Sequence, residues 1–174
     1  VEAGAPIPEA KVEDWGAVSN ITTKAVNHGA YILNHARDIH SGFRPFGEER
    51  HISIAGLNLD GWEVPANAME VINSGAQQTD MMRLYQDWFG MLNRGYQMTP
   101  VGASDSHDVS RYLVGQARTY IRSQDKVPGN IDINKALKNF GLGKVMVSFG
   151  LMAEMVVNSE YGPGEVVPAS DEIV

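Results

Sequence analysis

Ala68-Met-Glu-Val-Ile-Asn73, then the segment from Thr79 to Gly95, then Met98-Thr-Pro-Val-Gly-Ala103 is the stretch whose reading decides the fold. The first six residues are a short apolar run of strand length. Thr79 is placed to cap a helix, Met82, Tyr85, Trp88, Phe89 and Leu92 fall on one helical face, and Gly95 is a stop. Met98 to Ala103 is again strand-like. A strand, a helix and a strand in succession pair most simply in parallel through a right-handed crossover, so the class is α/β.

Working outward, Ala30-Tyr-Ile-Leu-Asn34 reads as a buried strand, and Asp14 to His28 as a helix with Val18, Ile21, Ala25 and Val26 near helical spacing and Gly29 as its stop. Residues 38–67 are mostly irregular. Downstream, the pattern predicts a strand from Val114 to Ile121, a helix from Ile131 to Phe140 closed by Gly141, and a strand from Lys144 to Phe149. Leu151 to Asn158 alternates as a hairpin arm with Tyr161-Gly-Pro-Gly164 as its turn. This divides the chain into an α/β portion over 1–150 and a β extension over 151–174.

The 174 residues are 43% hydrophobic and 20% charged, which suits a soluble globular domain. A net charge of −7 without long charge blocks disfavours nucleic acid as a partner. The absence of cysteine excludes disulfides and thiolate metal sites, and leaves cytoplasmic and secreted locations equally open. No apolar run reaches the ~20 residues of a membrane helix. The start at Val1-Glu-Ala-Gly-Ala, without Met, reads as a piece of a longer protein.

Parallel α/β sheets place their working residues where strands end. Three predicted strands end at Asn34-His35, Asn73-Ser74 and Ser104-Asp-Ser-His107. In an extended backbone positions i and i+2 face the same way, so Asp105 and His107 can aim at one point, and a hard oxygen beside an imidazole nitrogen suits zinc, iron or manganese. The ordinary alternative is that Ser104-Asp-Ser106 is turn chemistry. Glu70 faces either the site or an arginine. His28 reads as a helix cap, and His40 and His51 as either substrate contacts or solvated loop residues. Arg37 offers a bidentate fork to an anionic substrate or to a structural carboxylate. No Walker loop, nucleophile elbow, dinucleotide fingerprint or His-Glu-x-x-His pair is present.

The series Ala30 to His35, Ala68 to Asn73, Trp88 to Gly95, Pro100 to His107, Gly115 to Tyr120, and Val147-Ser-Phe-Gly150 to the Gly162 to Glu165 turn resembles the later motifs of the PHP (polymerase and histidinol phosphatase) superfamily, in particular its CehA/McbA metallohydrolase branch. The resemblance covers residues 20–167. It implies the later part of a distorted seven-stranded (β/α) barrel with parallel strands, holding two or three divalent metals and hydrolysing phosphoesters or esters. It makes His35, Asp105 and His107 metal ligands, with Asp105 and His107 the catalytic pair; Arg37 and His51 are the substrate-contact candidates on residue type and loop position alone. Ala36 stands where the family has Pro. The opening His-x-His pair of the family is absent, which implies either the later portion of a cut barrel, poorly active alone, or a degenerate relative, and leaves association with the missing barrel half or with a second copy open. The rival reading is a noncatalytic α/β binding module.

Overall fold

Six consecutive buried residues, Ala68–Asn73, form the central strand of the molecule. The computed structural model describes residues 30–38, 44–47, 50–62, 64, 66–74, 80–107, 110, 113–169 and 173. The helix expected over 14–28 with its stop at Gly29, together with His28, His40 and the capping Thr79, lies outside them. In chain order the elements are β1 (Ile32–Leu33), β2 (Ala68–Asn73), α1 (Met81–Asn93), β3 (Thr99–Ala103), β4 (Arg118–Ile121), a 3-10 turn (Pro128–Asn130), α2 (Ile133–Gly141) and β5 (Val145–Ser148).

β1, β2 and β3 form one parallel sheet in that order, and β4 pairs antiparallel with β5 in a second. The α/β class and the strand-helix-strand unit over 68–103 are therefore as the sequence pattern predicts. Among the described residues the strands do not close into a barrel. β2 is buried at every position because it is covered on both faces. Met69 and Val71 join Phe46, Ile52, Leu84 and Met91 in one core cluster, while Ala68 joins Val101, Phe140 and Val145 in another. β4 is shorter than expected, since residues 114–117 turn through Gly115 at φ 74.

Asp80 caps α1 by accepting from the Met82 amide at 2.9 Å. The buried face of this helix is Leu84, Asp87, Gly90 and Met91, which corrects the expected one: Met82 is 65% exposed and Phe89 52%. Two contacts turn the helix. Arg37 grips Asp87, and the 54–56 backbone lies against Gly90 so closely that a Cβ there would sit 2.7 Å from the Ile54 oxygen. The long loop is irregular but anchored. Ile52 is fully buried and bridges both Phe46 and Asn58.

Gly56 is the tightest point of that anchor, with φ +73 and a notional Cβ 2.2 Å from the Gly90 oxygen. Both the left-handed backbone and the backbone clash exclude a side chain. Gly56→Ala is expected to cost about 3 kcal/mol or more, read as a lowered denaturation midpoint. An unchanged midpoint would show that the loop is not held where described.

The C-terminal arm expected from Leu151 is also corrected. Residues 151–156 carry no strand; the expected glycine turn is present, with the Glu165 amide donating to the Gly162 oxygen at 3.2 Å and Gly164 left-handed at φ 76, but the bridge, between Val157 and Tyr161, closes a separate turn just before it at Asn158 and Ser159. No helix among the described residues is long and apolar enough to cross a membrane.

Candidate functional site

Because β1, β2 and β3 are parallel neighbours, the segments after Leu33, Asn73 and Ala103 emerge at one edge of the sheet. His35 follows β1 in left-handed backbone at φ 54, and Asp105 follows β3 in the same conformation at φ 50. Non-glycine residues in this region cost backbone energy and concentrate at working sites. Between the two strand ends lies Glu70, 2% exposed.

Glu70 organises His35. Its Oε1 accepts from the His35 amide at 3.3 Å and from Asn73 Nδ2 at 3.0 Å, and lies 3.3 Å from His35 Nδ1. Glu70 and Asn73 are three apart, so in a regular strand they would face opposite ways. The pairing of β2 with β3 slips by one residue between Glu70 and Ile72. That bulge reverses the parity and lets the two side chains meet. Burial pushes the Glu70 carboxyl above its ordinary range. Asn73 and His35 oppose the shift, and the nearby Asp105 charge adds to it. Asn73 Nδ2, a donor only, lies 3.3 Å from the same His35 nitrogen, so the two contacts call for opposite tautomers; when Nδ1 donates to ionised Glu70, Nε2 is the nitrogen left for a ligand.

His107 is arranged similarly, but not as an extended chain would place it. β3 ends at Ala103 and the backbone turns at Asp105, so the expected i, i+2 alignment is replaced by a fold-back. His107 Nδ1 donates to the Asp105 carbonyl oxygen at 2.7 Å and lies 3.5 Å from Asp105 Oδ1, with the imidazole largely exposed. A carbonyl only accepts, so this contact too fixes the proton on Nδ1 and presents Nε2. Ser74, buried at the end of β2, donates to the Ser104 oxygen at 2.9 Å and accepts from the Ala117 amide at 3.4 Å, tying the Asp105 turn to β2 and to the start of β4.

The structure thus brings His35 together with Glu70 and Asn73, and Asp105 with His107, and sets Asp105 near enough to Glu70 for its charge to be felt. The donor types suit a divalent ion, but among the described residues no three His, Asp or Glu side chains gather so as to hold one. Arg37, two residues beyond His35, makes the structural pair: Nε to Asp87 Oδ2 at 2.5 Å and Nη2 to Oδ1 at 2.8 Å. His51 lies on the anchored loop with Nδ1 2.6 Å from Asp60 and its ring stacked 5.0 Å from Trp62. The His51 contact holds the Asp60 carboxyl below its ordinary range.

Asp87 is the residue that sequence reasoning passed over, because an aspartate inside a helix looks solvent-facing unless its partner fifty residues away is known; Ser74 is visible in the sequence as a strand end, but not its hold on the Asp105 turn. Comparison with protein-family models, with curated proteins and with solved structures returns no match.

Proposed function

We propose that this chain carries part of the centre of a metal-dependent hydrolase acting on phosphoesters or esters, within the later portion of a distorted (β/α)7 barrel. The observation that carries this reading is the pair of histidines after β1 and β3, the two strands that flank β2 at one edge of the sheet, each with Nδ1 against an acceptor oxygen so that Nε2 is presented. That is the arrangement by which a protein fixes the tautomer of a ligating imidazole. His35 and His107 would hold the ion through Nε2 and Asp105 through its carboxylate, with zinc, manganese or iron suiting this set. A divalent ion so held supplies a water of lowered pKa and polarises the scissile group.

The chain's own contributions are positional. Glu70 and Asn73 hold the His35 turn, Ser74 holds the Asp105 turn, and Asp105 orients both its own carboxylate and the His107 ring. Since a divalent ion takes four or more donors, further ligands come from beyond these residues, and the chain alone binds metal weakly. The alternative, a noncatalytic module, draws on the stacked His51 and Trp62 of the anchored loop, a platform suited to a planar ligand.

Titration of the chain with zinc or manganese tests the reading. Asp105→Ala and His35→Ala are each expected to weaken binding by about tenfold or more, with the circular dichroism spectrum retained. Metal held equally well by the Asp105→Ala, His35→Ala double variant would overturn it and favour the module.

A further inference from the structure

α1 carries two apolar faces, and the fold of this chain uses one of them. Leu84 and Met91 pack with Met69 and Val71 of β2. Met82, Tyr85, Phe89 and Leu92 are spaced three, four and three residues apart, the repeat by which helices pair in a coiled coil. They form a straight stripe on the side of the helix away from Leu84 and Met91. Along it Met82 is 65% exposed, Phe89 52% and Leu92 38%, with Tyr85 half-buried. Gln86 and Asn93 border the stripe on one side and Met81 and Trp88 on the other, so the whole outer face carries no charge. The two charged residues of the helix lie elsewhere: Asp87 is buried against Arg37, and Arg83 pairs with the capping Asp80.

What fits the stripe follows from its symmetry and from charge. Exposed methionine and aromatic side chains without charged neighbours are the composition of an interface centre. A two-fold pair needs a self-complementary patch, and this stripe has the same spacing read from either end. In an antiparallel pair centred at the level of Asp87, Met82 of one copy meets Leu92 of the other, and Tyr85 meets Phe89. Two chains of net charge −7 repel each other, and on this face they meet without opposing like charges. The stripe and its borders expose roughly 500 Å² per copy, short of the ~800 Å² that each side of a standard interface buries, so the pair is weak and depends on concentration.

We propose that the outer face of α1 is a docking surface for a second copy of this chain, the two helices packing antiparallel at the shallow angle of a coiled coil. α1 runs against the parallel strands β2 and β3 that it connects, so the two strand-end edges of the pair point opposite ways.

Because the chain has no cysteine, introduced cysteines read the register directly. In the antiparallel pair position 82 lies beside position 92 of the other copy. The two copies of position 82 are ten residues apart along the helix axis, about 15 Å, beyond the ~7 Å Cα separation that a disulfide spans. An equimolar mixture of Met82→Cys and Leu92→Cys is expected to oxidise to a linked heterodimer, with each variant alone left largely unlinked. Either variant linking to itself as fast as the mixture links overturns the proposal, since a parallel pair or chance collision gives that result. Equilibrium sedimentation of the unaltered chain is expected to give a dimer Kd on the order of 100 μM. Phe89→Glu, which sets a carboxylate in the seam, is expected to raise it at least about tenfold. A chain that stays monomeric up to about 1 mM, or a dimer indifferent to Phe89→Glu, overturns the proposal and leaves the stripe to a different protein.

Discussion

Replacing Asp87 by alanine is expected to lower the free energy of unfolding by about 3–5 kcal/mol, the largest stability loss of any single substitution considered for this protein. Asp87 is fully buried and the Arg37 side chain is 14% exposed, so neither charge is screened by water as a surface pair would be. The fork is bidentate and short. Arg37 is held above its ordinary pKa chiefly by the bond to Asp87, while burial pushes the Asp87 carboxyl up against the downward pull of Arg37. Removing one partner strands the other charge in the interior, which costs far more than the pair contributes. The double variant Arg37→Met, Asp87→Leu is therefore expected to recover most of the loss. Urea denaturation of the two single variants and the double variant gives the comparison. A double variant as unstable as Asp87→Ala would mean that the pair is worth its net energy and not merely a registry device between α1 and the turn after β1.

Glu70→Gln is expected to act in opposite directions on stability and on metal binding. The buried carboxyl has a pKa raised above its ordinary value of 4.5, chiefly by desolvation. The folded state therefore holds its proton more tightly than the unfolded one, and stability falls as pH rises from that value through the folded one. Above this window the ionised group is a cost that the amide does not carry. In metal-free protein the variant should match wild type at low pH and equal or exceed it at neutral pH. Glutamine nevertheless supplies a weaker acceptor to His35 Nδ1, so the proton is free to settle on Nε2, and metal affinity is expected to fall by about tenfold to a hundredfold. Thermal melts across pH, paired with metal titration, test both halves. A variant that binds metal as wild type does would remove Glu70 from the site.

The parallel unit over 68–103 was legible because its signals are local: an apolar run covered on both faces, a helical spacing and a stop. The helix face was misjudged because the pattern of Met82, Tyr85 and Phe89 is real, yet the orientation of α1 is set by two distant partners, Arg37 and Gly56. The strand-end positions of His35 and Asp105 could be inferred from segment ends alone. Their left-handed backbone could not, and it invalidates the extended-chain argument that first linked Asp105 to His107. The bulge after Glu70 was equally hidden, since parity along a strand reads from sequence only while pairing stays in register.

The conformations of His35 and Asp105 bear on how this protein would respond to laboratory evolution. At φ 54 and φ 50 both occupy torsions that glycine adopts at less expense. A library enriched only for survival on heating would be drawn to these two codons early, and its winners would melt later while having lost their imidazole and carboxylate. Screens for robustness should therefore hold both positions fixed, or they will harvest well-folded proteins stripped of the side chains on which the proposed centre depends.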